Sequence, residues 1–127
     1  MKDEKDTEPP FDLREKPKAF ALRIIRMFVA LPKTEEALVI GQQVLRSGTS
    51  VDANYREAHR SRSKAEFVDK VGDCLKELDE TAYWLELRTE SGIVAPPKLS
   101  PLRDECNQLL AILTTVSKNS KAGLHPS

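Results

Sequence analysis

The stretch that decides the fold runs from Arg46 to Glu80 and reads RSGTSVDANYREAHRSRSKAEFVDKVGDCLKELDE. Apolar residues recur at helical spacing in both of its halves, and a short basic turn separates the halves. Ser63 and Glu66 form an S-x-x-E capping box, which predicts that a helix begins directly after Ser63. The stretch therefore predicts the second half of one helix, a tight turn, and the first half of an antiparallel partner.

The helix that enters this turn is predicted to span residues 35–60. Thr34 is a suitable N-cap, and two glutamates follow it at the positive end of the helix dipole. On a helical wheel one face collects Ala37, Ile40, Gly41, Val44, Gly48, Val51, Tyr55 and Ala58. Because Gly41 and Gly48 lie seven residues apart on that face, we expect a neighbouring backbone to approach closely there.

A preceding helix is predicted over residues 15–31, because Phe20, Ile24, Met27 and Leu31 follow a four-three-four spacing. Pro32 lacks an amide hydrogen and restricts the residue before it, so the helix is expected to stop there.

Two further helices follow the turn. One is predicted over residues 64–91, with Gly92 as its C-terminal stop. The other is predicted over residues 101–119, with Ser100 as N-cap and Pro101 at the first helical position. The apolar connector IVAPPKL between them is expected to cross and cover the end of the bundle.

Four amphipathic segments with short connections predict a single-domain, all-α, antiparallel up-down-up-down four-helix bundle. The bundle is predicted over residues 15–119. Residues 1–14 are charged and proline-containing, which favours an extended arm, and residues 120–127 are expected to fray.

The charges exclude strong global attraction to anionic partners, because 20 basic residues are matched by 20 acidic ones. No apolar run is long enough to cross a bilayer, and the charged start does not resemble a signal peptide. We therefore expect a cytoplasmic protein without a membrane partner. Cys74 and Cys106 are predicted to lie at different depths, as separate core side chains rather than a disulfide.

The last turns of the third helix are apolar on every side, because Tyr83, Trp84 and Leu87 project away from its core face. Such a second face is typical of an interface between subunits, where aromatic residues are enriched. Two alternatives remain open: the connector or the arm covers these side chains within one chain, or they line a ligand pocket.

The turn between the second and third helices carries Arg56, Arg60, Arg62 and Lys64, opposed only by Glu57 between residues 54 and 64. These four cations are a candidate nucleic-acid patch, because repeated copies in an oligomer would add phosphate contacts. The alternative is a solvated turn whose cations suit a helix C-terminus.

Sequence motifs of catalysis and metal binding are lacking. There is no glycine-rich phosphate loop, no G-x-S-x-G and no Glu-x-x-His pair of the kind that binds metal in helical bundles. The residues therefore predict a protein that is not an enzyme and has no cofactor.

Five segments, taken in order, carry a resemblance to a known family: Leu31 to Thr34, Gln43 to Val51 (QVLRSGTSV), Asn54 to Ala58, Ser63 to Phe67 and Glu77 to Glu86 (ELDETAYWLE). The chain resembles the small four-helix-bundle proteins encoded in intervening sequences of bacterial 23S ribosomal RNA genes. The likeness extends from Phe11 to about Ser117.

The resemblance implies a cytosolic homo-oligomer, typically a pentamer, with no established catalytic activity. A more distant cousin is the basic pentameric accessory protein of diversity-generating retroelements, which engages reverse transcriptase and nucleic acid. Since the present chain is neutral, it departs from that cousin. Two functional hypotheses follow: an oligomeric scaffold or adaptor, and alternatively a nucleic-acid-binding (RNA or DNA) accessory protein that uses the basic turn.

Overall fold

The computed structural model describes residues 13–92 and 96–123. These residues form four helices: α1 (Glu15–Val29), α2 (Glu35–His59), α3 (Lys64–Ser91) and α4 (Pro96–Lys121). No strand occurs within the described ranges, and the predicted all-α four-helix bundle is confirmed. Residues 1–12 of the predicted arm and 124–127 of the predicted tail lie outside these ranges, but Ser120 and Lys121, which were expected to fray, belong to α4. No described helix has the length and apolar content needed to span a membrane.

The helices form a closed square, in which each packs against the next and α1 packs against α4. The neighbours are antiparallel. Successive residues along α3 contact residues that lie progressively earlier in α2. Cys74 faces the Val51 carbonyl, Thr81 bonds Ser47, and Arg88 bonds the Ala37 carbonyl. Among the described residues, no Cα atom of α1 lies within 8 Å of a Cα atom of α3, so these two helices occupy opposite corners.

Capping side chains set the helix starts. The Thr34 hydroxyl accepts a hydrogen bond from the Ala37 amide at 3.3 Å, and the Ser63 hydroxyl accepts one from Glu66 at 3.1 Å. The Glu66 carboxylate reaches back to the Arg62 amide at 2.9 Å, one residue beyond the cap itself. Polar side chains thus satisfy amide groups that have no partner inside the helix.

Helix α2 continues without a break through Thr49 and Ser50, as its unbroken apolar face predicts. The two hydroxyls donate to the carbonyls of Leu45 and Arg46, each at 2.7 Å, which satisfies them inside the helix.

The glycines of α2 allow α1 to approach closely. A Cβ atom at Gly41 would lie 2.6 Å from Leu31, and one at Gly48 would lie 3.1 Å from Ile24. The nearest atoms at both glycines belong to side chains and not to a backbone, so the glycines make room for Leu31 and Ile24.

The predicted apolar faces meet in one core. Its fully buried members come from all four helices and include Phe20, Ile24, Val44, Val51, Val71, Cys74, Leu78, Leu85, Leu99, Cys106 and Leu113. Burial of a leucine-sized side chain contributes about 1.5 to 3 kcal/mol, whereas a surface ion pair contributes roughly 0 to 1 kcal/mol. The core therefore determines the fold, and surface ion pairs such as Arg23 with Glu105 add little.

The predicted start of the fourth helix at Pro101 is wrong, because α4 begins at Pro96. The extra turn buries Leu99 completely. Pro101 then lies inside the helix, where the missing hydrogen bond and the clash of its ring with the carbonyl four residues earlier cost about 3 kcal/mol. Burial of Leu99 contributes about 1.5 to 3 kcal/mol and offsets much of that cost.

Helix α1 also ends earlier than predicted, at Val29 rather than Leu31. The Leu31 amide bonds the Phe28 carbonyl at 3.2 Å in a tighter final turn, because Pro32 disfavours a helical conformation for Leu31. Leu31 nevertheless stays buried against the bundle.

Candidate functional surfaces

The outer face of α3 carries the predicted interface residues. Tyr83 is 54% exposed, whereas Trp84 and Leu87 are half-buried. The rings of Tyr83 and Trp84 meet edge to face with their centroids 5.1 Å apart. The structure therefore brings Tyr83 and Trp84 together, and Leu87 follows Tyr83 by four residues on the same helix. Tyr83 is the most exposed of the three. We call Tyr83, Trp84 and Leu87 the α3 patch.

Trp84 leans towards the junction with α2 and packs in part against the core. Its indole N–H donates to the Glu80 carboxylate at 3.0 Å. Glu80 also pairs with Arg46 of α2, and Arg46 in turn lies 3.5 Å from Glu77. The polar edge of the indole is thus satisfied within the subunit, while the face of Tyr83 beside it stays open to solvent.

A second apolar surface, which the sequence analysis did not identify, lies on α1. Leu22 is 42% exposed, Ile25 40% and Val29 69%. Their spacing of three and four residues places them on one side of the helix, away from the core residues of α1. We call these three residues the α1 stripe. The spacing itself was the available signal, but the stronger core periodicity of Phe20 and Ile24 obscured it.

The basic turn divides into two parts. Arg56 and Arg60 line a cleft between the C-terminal end of α2 and the N-terminal end of α1. Arg62 lies in the turn itself, and Lys64 is the exposed first residue of α3. The structure therefore separates the four predicted patch residues, and only two of them share the cleft.

Glu57 is the acidic residue expected to offset this patch, but it is directed elsewhere. Its carboxylate pairs with Lys70 of α3 at 2.7 Å. Glu57 therefore does not offset the cations of the turn.

Residues that are distant in sequence complete the cleft, which has a volume of about 540 Å³. Its lining consists of Arg14, Glu15 and Lys18 from the start of α1 and Asp52, Arg56, His59 and Arg60 from the end of α2. Sequence reasoning missed Arg14, Lys18 and Asp52, because only the antiparallel packing of α1 on α2 brings them beside the turn.

Asp52 lies partly buried in the cleft wall. Burial raises the pKa of its carboxyl group, and the nearby positive charges of Arg56 and Lys18 only partly oppose that effect. The negative charge of Asp52 is therefore held in an environment that disfavours it.

The two cysteines are buried and free, as predicted. Their thiols face the carbonyls of Val51 and Leu78. Burial raises the pKa of both Cys74 and Cys106 to about 12, so both thiols stay protonated near neutral pH. Over the ranges that the structure covers, no cluster of three or more His, Cys, Asp or Glu residues is arranged to hold a metal ion.

Comparison with known proteins gives a consistent result. The chain matches the family described as 23S rRNA-intervening sequence protein over residues 11–115. A crystal structure of a protein of unknown function from the S23 ribosomal protein family of Bacteroides thetaiotaomicron is 33% identical, with a TM-score of 0.79. The match covers 84% of the present chain and 99% of that protein. No curated protein matches. The present chain thus belongs to the 23S rRNA-intervening sequence protein family.

Proposed function

We propose that this protein is a non-enzymatic scaffold or adaptor whose subunits join head to tail, with the α3 patch of one subunit against the α1 stripe of the next. The observation that carries the proposal is the presence of two exposed apolar surfaces on helices at opposite corners of the bundle. Clustered exposed apolar residues are typical of association surfaces.

The positions of the two surfaces favour one kind of symmetry. An isologous dimer uses one self-complementary surface, whereas a head-to-tail assembly needs two different ones. Since α1 and α3 stand at opposite corners, one subunit can contact two neighbours at once. Such contacts form a ring when the rotation between subunits closes. The family resemblance implies five subunits in that ring.

The native mass in solution tests this proposal. Ile25→Asp/Val29→Asp places two charges on the α1 stripe, and Tyr83→Asp/Leu87→Asp places two on the α3 patch. Both pairs are four residues apart on one helix, so the two variants are matched in charge and spacing. Each is expected to remain helical by circular dichroism and to lose oligomeric mass in light scattering.

Val39→Asp provides the control, since Val39 is 55% exposed on α2 and belongs to neither surface. This variant is expected to keep the wild-type mass. A wild-type protein that is monomeric at micromolar concentration, or patch variants that keep their mass, would remove the proposal.

A second candidate function is nucleic-acid binding by the basic turn. Its support is the pairing of Glu57 with Lys70, which leaves the turn with an excess of positive charge. Binding of structured RNA that weakens with added salt, and weakens further in Arg60→Glu/Arg62→Glu, would favour this function. Indifference to RNA and DNA at low salt would eliminate it.

A further inference from the structure

The cleft between α1 and α2 concentrates positive charge from two helices. Lys18, Arg56 and Arg60 line it, and none of the three pairs with an acidic side chain in the part of the chain that the structure describes. Arg14 and His59 also line the cleft, and each already has another interaction. Glu15 and Asp52 also line the cleft, but the four cations Arg14, Lys18, Arg56 and Arg60 outnumber these two carboxylates, so the cleft keeps a net positive charge.

The helix dipole explains only half of this arrangement. Arg56 and Arg60 lie in the last turns of α2, where the partial negative charge of the helix end favours cations. Lys18 and Arg14 lie at the start of α1, where the partial positive charge disfavours them. Arg14 also provides no side-chain cap for that helix. The cations of α1 are therefore placed unfavourably, at the positive end of their own helix. An anion bound in the cleft would make their position favourable.

The geometry of the cleft suits a phosphate group. Arg56 and Arg60 are four residues apart and so share one side of α2. Guanidinium groups present paired donors that match phosphate oxygens, and Lys18 adds a charge from the opposite wall. The volume of about 540 Å³ lies within the range of small-molecule sites.

We propose that this cleft binds the phosphate group of a nucleotide, with Lys18, Arg56 and Arg60 as its principal contacts. The nucleotide is either free or part of a single strand, since the phosphate chemistry is shared. The exposed ring of His59, held edge to face by Tyr55 at a centroid distance of 5.0 Å, offers a surface on which a base can stack. This site is separate from Arg62 and Lys64, and it does not depend on oligomer assembly.

Binding by the full-length chain tests the proposal, with adenosine monophosphate as the free nucleotide and a short fluorescent oligonucleotide as the strand. Binding of adenosine monophosphate is measured by titration calorimetry, and binding of the oligonucleotide is measured by fluorescence anisotropy. We expect at least one of them to bind with an affinity that falls as salt is added. Lys18→Glu/Arg56→Glu is expected to weaken binding by about tenfold or more, because charged hydrogen bonds are lost.

The matched control is Lys76→Glu/Arg103→Glu, which makes the same changes at exposed positions outside the cleft. It is expected to bind as the wild type does. Equal weakening in both double variants would show a general charge effect and overturn the site. If neither probe bound to the protein, the proposed site would also be overturned.

Substitution of Asp52 provides a test whose expected result is tighter binding, which a misfolded variant would not show. Asp52→Asn removes a negative charge from the cleft wall, so we expect nucleotide binding to become several-fold tighter. Asp79→Asn, an equal charge change at an exposed position of α3, is expected to have no effect. Unchanged or weaker binding in Asp52→Asn would contradict the proposal.

The same experiments separate the cleft from the basic turn. Loss of oligonucleotide binding in Arg60→Glu/Arg62→Glu, together with full binding in Lys18→Glu/Arg56→Glu, would overturn the cleft and leave the nucleic-acid function standing. Binding of the mononucleotide alone, lost in Lys18→Glu/Arg56→Glu, would establish the cleft and count against that function.

Discussion

Arg88 offers a strong test of the packing energetics, because its side chain is completely buried near the end of α3. Its Nη1 donates to the Ala37 carbonyl at 3.4 Å. Its Nε and Nη2 have no hydrogen-bond partner over the ranges that the structure describes. Burial also lowers the pKa of the guanidinium. The folded state therefore holds a cation that is poorly compensated, and we predict that Arg88→Met stabilises the protein.

The magnitude follows from the unpaired donors. Each buried donor without a partner costs about 1 to 3 kcal/mol, and the lost bond to Ala37 offsets about 1 kcal/mol of the gain. Methionine fills a similar elongated volume without a charge. With two such donors, we expect a net gain of about 1 to 5 kcal/mol in the free energy of unfolding. At about 4 °C per kcal/mol for a domain of this size, the Tm rises by roughly 4 to 20 °C.

Urea unfolding followed by circular dichroism at fixed protein concentration measures this change. Arg103→Met is the control, because Arg103 is exposed on α4 and its replacement is expected to change stability by less than about 0.5 kcal/mol. If Arg88→Met proved less stable than the wild type, the guanidinium would have a compensating partner, and the reasoning about its unpaired donors would be wrong.

Three further predictions concern the core and the helices. Leu78→Ala should lower the unfolding free energy by about 2 to 5 kcal/mol in the same assay, because Leu78 is fully buried; a loss below about 1 kcal/mol would contradict its placement. Gly72→Ala should raise it by about 0.5 to 1 kcal/mol, since an added Cβ meets no atom within 4 Å inside α3; destabilisation would indicate a contact there. Cys74 and Cys106 should react with a thiol reagent at pH 8 only when urea unfolds the chain, because burial raises the pKa of both to about 12; rapid reaction of the native protein would refute their burial.

The architecture could be predicted from sequence because local signals agreed with the core pattern. The cap at Thr34, the stop at Pro32 and the left-handed Gly92, with φ 76°, all lie where the periodicity changes. The start of α4 could not be predicted in the same way. Pro101 is a strong local signal for a helix start, whereas the burial of Leu99, which offsets much of the cost of the proline, occurs only in the folded bundle.

The buried polar residues show a different limit. Thr81 lies three residues after Leu78, and Arg88 lies three residues after Leu85. Helical spacing therefore places both polar residues on the core face. A pattern that counts only apolar residues omits them. In the structure the Thr81 hydroxyl bonds Ser47 at 2.8 Å and the Glu77 carbonyl at 2.7 Å, which compensates for its burial.

The candidate surfaces were only partly predictable. The residues of the α3 patch were found from one helix, because a second apolar face is visible on a helical wheel. The cleft needs two helices, and nothing in the sequence states that Lys18 lies opposite Arg56. Tertiary packing creates that pairing, and sequence spacing within one helix cannot reveal it.

Mixing two assembly-deficient variants tests the head-to-tail arrangement most directly. Subunits of Ile25→Asp/Val29→Asp keep the α3 patch, and subunits of Tyr83→Asp/Leu87→Asp keep the α1 stripe. Native mass spectrometry should find each variant monomeric alone. The mixture should form a heterodimer of two 14.3 kDa chains that grows no further, because one intact pair of surfaces remains. A mixture that stays monomeric, or an α1 variant that assembles fully by itself, would contradict the arrangement.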